Sequence, residues 1–149
     1  MGTEVDMEGT LQEGRRAPEF LAWAPLAAVA LFTFNNFWLK GRAPVVLAGK
    51  LSDFAACFFL PLFVAALLAR VTRWSRARRV ALGAVTTALV FTLVKTSAAA
   101  SAVLDGFCAA LGSLVALRSP ANRVDPTDLL ALPMVLLACW WSNNQGRKR

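Results

Sequence analysis

The sequence predicts an all-α membrane protein, a bundle of four transmembrane helices plus one short interfacial or re-entrant helix. Three observations carry that prediction. The 149 residues are 57% hydrophobic, with a mean hydropathy of +0.53. Every glutamate (Glu4, Glu8, Glu13 and Glu19) precedes Phe20, so the remainder is more apolar than the average. The arginines lie between the apolar runs and at the chain end, where the positive-inside rule places them in cytoplasmic loops. A chain of this length accommodates one domain.

The elements follow in order. Residues 1–19 are polar, acidic and glycine-containing, and are expected to form a disordered cytoplasmic tail. Arg15-Arg16 before an apolar run is similar to a twin-arginine export signal. The run ends in Asn35-Asn36-Phe37-Trp38-Leu39-Lys40 without a small-residue cleavage pattern, so Phe20–Leu39 reads as a retained first span. Trp23 and Trp38 would sit near its two interfaces. A second apolar segment runs from Val45 to about Ala69, with Pro61 inside it as an expected kink. The basic stretch Arg70–Arg79 separates it from a third segment, Val80 to about Ala100, which Lys95 interrupts.

Ser101–Leu117 is less decided. Val103, Phe107, Leu111, Leu114 and Leu117 recur at helical spacing, so the piece lies along the interface, dips in, or crosses as a fifth span. The last segment, Asp125 to about Trp141, opens with Asp125-Pro126-Thr127-Asp128, a helix start with a cap, a proline at the first position and an acidic third position. The bundle is therefore expected over 20–142, with a basic tail over 143–149. Four spans place the Arg15-Arg16 pair, the five arginines of 70–79 and the terminal Arg147-Lys148-Arg149 on one side. That side is cytoplasmic, with both termini, in the inner membrane of a bacterium. A GC-rich bacterial source is also suggested by the absence of Ile, Tyr and His and the excess of arginine over lysine.

Several functions are disfavoured. The formal charge of +7 is spread through loops rather than gathered as a nucleic-acid footprint. Cys57, Cys108 and Cys139 are isolated and no histidine is present, which argues against zinc, haem and a Ser-His-Asp arrangement. No phosphate loop or dinucleotide fingerprint occurs, and no cofactor is expected. Asp105-Gly106-Phe107-Cys108-Ala109-Ala110 departs from the core motif of CDP-alcohol phosphotransferases, with Ala110 in place of its arginine.

The four-span topology brings the polar residues of the apolar segments to one level. Asn35 and Asn36 end the first helix, Lys50 and Asp53 begin the second, Lys95 approaches the end of the third, and Asp125 with Asp128 starts the fourth. All fall in the outer leaflet and form the candidate polar pocket. A charge at the centre of a spanning helix costs about 2.5–3.5 kcal/mol unless paired or hydrated, so such residues mark a site. Lys50 and Asp53, three apart, can pair along one helix. Alternatively Asp53 faces the interior and meets Lys95. Two outer carboxylates opposite Asp53 could hold Mg²⁺ or Ca²⁺, but the spacing alone gives no coordination set, and no metal is assigned.

Gly49-Lys50-Leu51-Ser52-Asp53-Phe54 with Phe58-Phe59-Leu60-Pro61-Leu62 resembles a signature of small bacterial multi-span inner-membrane proteins of unknown function. Val94-Lys95, the Asn-containing end of the first helix and Asp125-Pro126-Thr127-Asp128-Leu129-Leu130 are similar to other blocks of that group. Asn36 and Ala56 depart from it, where an acidic residue and a glycine are expected. The resemblance implies an inner-membrane protein and no activity.

The leading expectation is a pocket that binds an anionic lipid headgroup or lipid-linked intermediate, with Lys50 and Lys95 supplying charge, Asp53 orienting them or acting as base, and Asp125 and Asp128 closing the rim. The rivals are a non-catalytic membrane subunit or assembly factor, and a small ion- or proton-coupled transporter. Membrane lipids are the expected partners, with a protein partner or a second copy also open.

Overall fold

The computed structural model describes residues 20–39, 45–114 and 124–147. The expected tail 1–19, the Lys40–Pro44 connection and the end of the Ser101–Leu117 piece beyond residue 114 lie outside them. Among the described residues all regular structure is helical. Helix α1 spans Trp23–Phe34 and passes into a π-helical turn, Asn35–Leu39. Helix α2 spans Val45–Val71, α3 Arg76–Thr96 and α4 Ala98–Leu114. A 3₁₀ helix, Pro126–Ala131, leads into α5, Pro133–Arg147.

The boundaries follow from local chemistry. Ser97 adopts an extended conformation (φ −122°, ψ 120°) and ends α3, its N–H bonding to the Leu93 carbonyl at 2.9 Å. Its hydroxyl accepts from the Ala100 N–H at 3.4 Å, the bond a serine N-cap makes to the third helical position. The segment expected from Val80 to about Ala100 is thus divided between two helices. At the last segment, Pro133 has no N–H, so the Leu129 carbonyl accepts instead from Leu132 at 3.0 Å. That i→i+3 bond keeps Pro126–Ala131 in the 3₁₀ form, and Pro133 opens α5 as a first-position proline. Residues 143–147, expected as tail, continue α5.

Helix α2 is the central element. It packs against α1, α3, the 3₁₀ helix and α5, while α4 touches only α3 among the described elements. Asn35, at the end of α1, meets Ala48 and Ser52 near the start of α2, and Phe20, before α1, meets Phe63 at 5.4 Å between ring centroids. Lys95 at the end of α3 meets Asp128 at the entry to α5, and Arg76 at the start of α3 meets Ser142 late in α5. Helices α1, α2, α3 and α5 therefore alternate in direction. The described chain begins and ends at the end that carries Arg70–Arg79.

The interior is rich in small side chains. Among the described residues, six of the twelve buried apolar residues are alanines (48, 55, 65, 69, 131 and 138). Large apolar groups such as Leu67, Leu89, Leu93, Leu136 and Trp140 lie outside. One cluster gathers Phe58, Leu62, Ala65, Val80 and Ala138, and a second gathers Cys57, Ala131 and Val135. Two helices, over Leu47–Val71 and Arg76–Thr96, are long and apolar enough to cross a membrane, with hydropathies of 2.2 and 1.5. Only 39% and 28% of these apolar windows are buried.

Pro61 sits inside α2 without ending it. Its carbonyl faces Gly83 of α3 so closely that a Cβ on that glycine would lie 2.3 Å from the oxygen. Such approach is what small residues permit where two helices cross. Gly106 is the opposite case, since a Cβ there would meet nothing within 4 Å. We predict that Gly83→Ala lowers the thermal unfolding midpoint in detergent clearly. Gly106→Ala should leave it unchanged or raise it, because glycine in a helix interior is about 1 kcal/mol less favourable than alanine. Equal effects from the two would contradict the tight crossing.

Candidate functional site

The α2–α3 hairpin brings the start of one helix beside the end of the other, and the 3₁₀ entry to α5 closes over both. Lys95 lies in the last turn of α3, where the negative end of the helix dipole favours a cation. It is only 5% exposed. Its ammonium donates to Asp53 Oδ2 and to Asp128 Oδ2, each at 2.8 Å. It also stands 5.6 Å from the ring centroid of Phe91, one turn earlier on the same face. One buried cation thus ties α2, α3 and the 3₁₀ helix together.

Lys50 completes the arrangement from the rim. It does not pair with Asp53 along its own helix, as their spacing allows. Its ammonium reaches Asp128 Oδ1 at 3.3 Å and Thr127 Oγ1 at 2.9 Å instead. An exposed pair at that spacing within a helix is worth only about 0.2–0.5 kcal/mol. Crossing to the 3₁₀ helix satisfies the second oxygen of a buried carboxylate, for which the alternative is an unmet acceptor.

Asp125 and Asp128 divide the work expected of the helix start. Asp125 Oδ1 accepts from the Thr127 N–H at 3.0 Å and from the Thr127 hydroxyl at 2.7 Å, so it is the cap. Asp128 is 8% exposed and is occupied by the two lysines. The order of donation runs from Lys50 to Thr127 to Asp125.

The two asparagines separate. Asn35 is fully buried, and its Nδ2 donates to the Ala48 carbonyl and the Ser52 hydroxyl, pinning α1 to α2. Its Oδ1 has no hydrogen-bond partner among the described residues. Asn36 donates to the Phe32 carbonyl of its own helix at 2.9 Å and takes no part in the cluster. Ser52 and Thr127 also take part, though neither is among the candidate pocket residues. Their signal was adjacency to Asp53 and Asp128.

The chemistry of the cluster is that of internally paired charges, with Asp125 joined to them through Thr127. Two ammonium groups face two carboxylates, and Lys95 lies between Asp53 and Asp128. Among the described residues no three acidic, cysteine or histidine side chains converge on a metal position. Compared with protein-family models, with curated proteins and with solved structures, the chain has no match.

Removing one member of a buried pair leaves the other charge uncompensated, which costs roughly 3–5 kcal/mol. We predict a loss of that order for Lys95→Met in denaturant unfolding of the micelle-bound protein. Lys50, whose side chain is 30% exposed, should cost less than Lys95 when changed to Met, about 1 kcal/mol for the Asp128 oxygen left without its donor. A ranking in which Lys50→Met is the worse variant would contradict the central place given to Lys95.

Proposed function

We propose that this chain is an integral protein of a bacterial inner membrane, crossing it four times with both termini cytoplasmic. Its outer polar cluster acts as a non-catalytic latch between helices, the role of a membrane subunit or assembly factor. The observation that carries the latch is its internal balance. Lys95 is spent on two aspartates, and Asp128 uses both oxygens on two lysines. An anion entering there would have to displace a carboxylate.

The membrane reading rests on three supports. Among the described residues half of the buried apolar side chains are alanines, while most large apolar ones, such as Leu67, Leu89, Leu93, Phe107 and Trp140, face outward, the pattern expected in lipid. The polar cluster and the arginine turn stand at opposite ends of α2 and α3. Residues 54–69 and 80–94 between them carry no charge. From Asp53 to Arg70 the helix rises roughly 25 Å at 1.5 Å per residue, close to the ~30 Å hydrocarbon core. The opposed directions of α3 and α5 favour four crossings over five, since a crossing by α4 would start α5 at the arginine end. The uncharged middle also gives little support to an ion or proton path through the bundle.

One observation favours a second reading, the anionic headgroup site. Lys50 is 30% exposed at the rim, and two of its three donors go to Asp128 and Thr127, leaving one to offer a phosphate.

Two measurements test these readings. Reporter fusions should give active alkaline phosphatase when placed after residues 42 and 120, and fluorescent green fluorescent protein at residue 74 and the C-terminus. Phosphatase activity at the C-terminus, or release of the protein by alkaline carbonate, would overturn the topology. In native mass spectrometry of gently solubilised protein the latch reading predicts the same lipid adducts for wild type and Lys50→Gln. A lipid-sized mass that the Lys50 variant loses would establish the headgroup site instead.

A further inference from the structure

The opposite end of the bundle carries charge of a different kind. Five arginines fall between residues 70 and 79, and the structure uses them in two ways. Arg79 is buried and donates to the Trp74 carbonyl, and Arg76 donates to the carbonyl and hydroxyl of Ser142 on α5. These two hold the turn in place. Arg70, Arg73 and Arg78 are exposed, and none has a carboxylate within 4.0 Å among the described residues. The sequence from Phe54 to Leu104 contains no acidic residue, so nothing nearby along the chain neutralises them. Beside them two apolar groups stand out, Val71 at 79% exposure and Trp74 at 46%. An exposed tryptophan among arginines, directly beyond two exposed apolar helices, is the composition of a membrane interface.

We propose that the Arg70–Arg78 turn binds anionic phospholipid headgroups of the cytoplasmic leaflet. Arg70, Arg73 and Arg78 supply charge and hydrogen-bond donors, and Val71 and Trp74 seat the turn at the acyl boundary. Arginine suits the task because its planar fork bonds phosphate in bidentate fashion. The turn is preorganised by Arg76 and Arg79, so little ordering opposes binding. A lipid fits better than a soluble anion because the patch adjoins outward-facing apolar surface. The proposal rests on the membrane reading and is independent of the latch.

The test is native mass spectrometry of the full chain in zwitterionic micelles, titrated separately with phosphatidylglycerol, phosphatidylcholine and inorganic phosphate. Phosphatidylglycerol should bind in preference to the other two, and more weakly as salt is raised. A basic residue near an anionic surface contributes about fivefold in affinity, so replacing all three arginines by glutamine should cost roughly 100-fold. The triple lysine variant should retain most of the preference. None of the three positions holds the fold together, so all variants should melt with the wild type.

Equal binding of phosphatidylcholine, phosphate binding as tightly as lipid, or an unchanged triple glutamine variant would each overturn the proposal. So would displacement of the lipid by stoichiometric hexaglutamate, which would reassign the patch to an acidic polypeptide. Loss of the adduct in Lys50→Gln alone would move it to the outer cluster. A protein that carbonate extracts from membranes fails the membrane reading itself, so the two failures are told apart.

Discussion

Burying an ammonium group among apolar helices is costly, and the arrangement around Lys95 follows from meeting that cost. Its partners arrive from two other elements, Asp53 from α2 and Asp128 from the 3₁₀ helix, so the charge is compensated only when all three are in place. The interior offers little to fix register by shape, since alanines make up half of its buried apolar residues among those described. Register then falls to the ends. Lys95 sets it at one end, Arg76 on Ser142 sets it at the other, and Gly83 against Pro61 lets the backbones close between them.

The two ends carry charge to opposite effect. At the Lys95 end, positive and negative groups are matched and face inward. At the arginine end, two side chains serve the fold and three face outward without carboxylate partners among the described residues. A matched set holds helices together and has little left to attract a ligand. An unmatched set attracts anions from outside. Similar charges can therefore serve cohesion at one surface and recognition at the other, with the difference lying in where the carboxylates fall along the chain.

Much of this was legible in the sequence because composition alone marks long apolar segments and the arginine bias marks their ends. The helical class and the level shared by Lys50, Asp53, Lys95 and Asp128 followed from those two signals. The break at Ser97 was not legible, because Lys95 is the one charge that interrupts Val80–Ala100 and the cap two residues later rests on one hydroxyl. Pro133 held the signal for the 3₁₀ turn, yet its effect appears only once the carbonyl it fails to serve is identified. Asn35 and Asn36 look equivalent in a string. On a helix, neighbours point about 100° apart, so only one of them could face α2. Spacing allowed Lys50 to pair with Asp53, and no rule local to the helix showed that a third carboxylate would compete. Which glycine meets another backbone is likewise a property of the packing, and Gly83 gave no sign of it.

Asp53 and Lys95 face each other across two helices at 2.8 Å, and a double-mutant cycle with reversed charges measures their coupling. Asp53→Lys and Lys95→Asp should each destabilise the protein in denaturant unfolding. Combined, they should cost less than the sum of the two, because the pair is restored with its charges exchanged even though Asp128 then faces a carboxylate in place of the Lys95 ammonium. Simple addition of the two single losses would show that the residues do not act on one another, and would contradict the account.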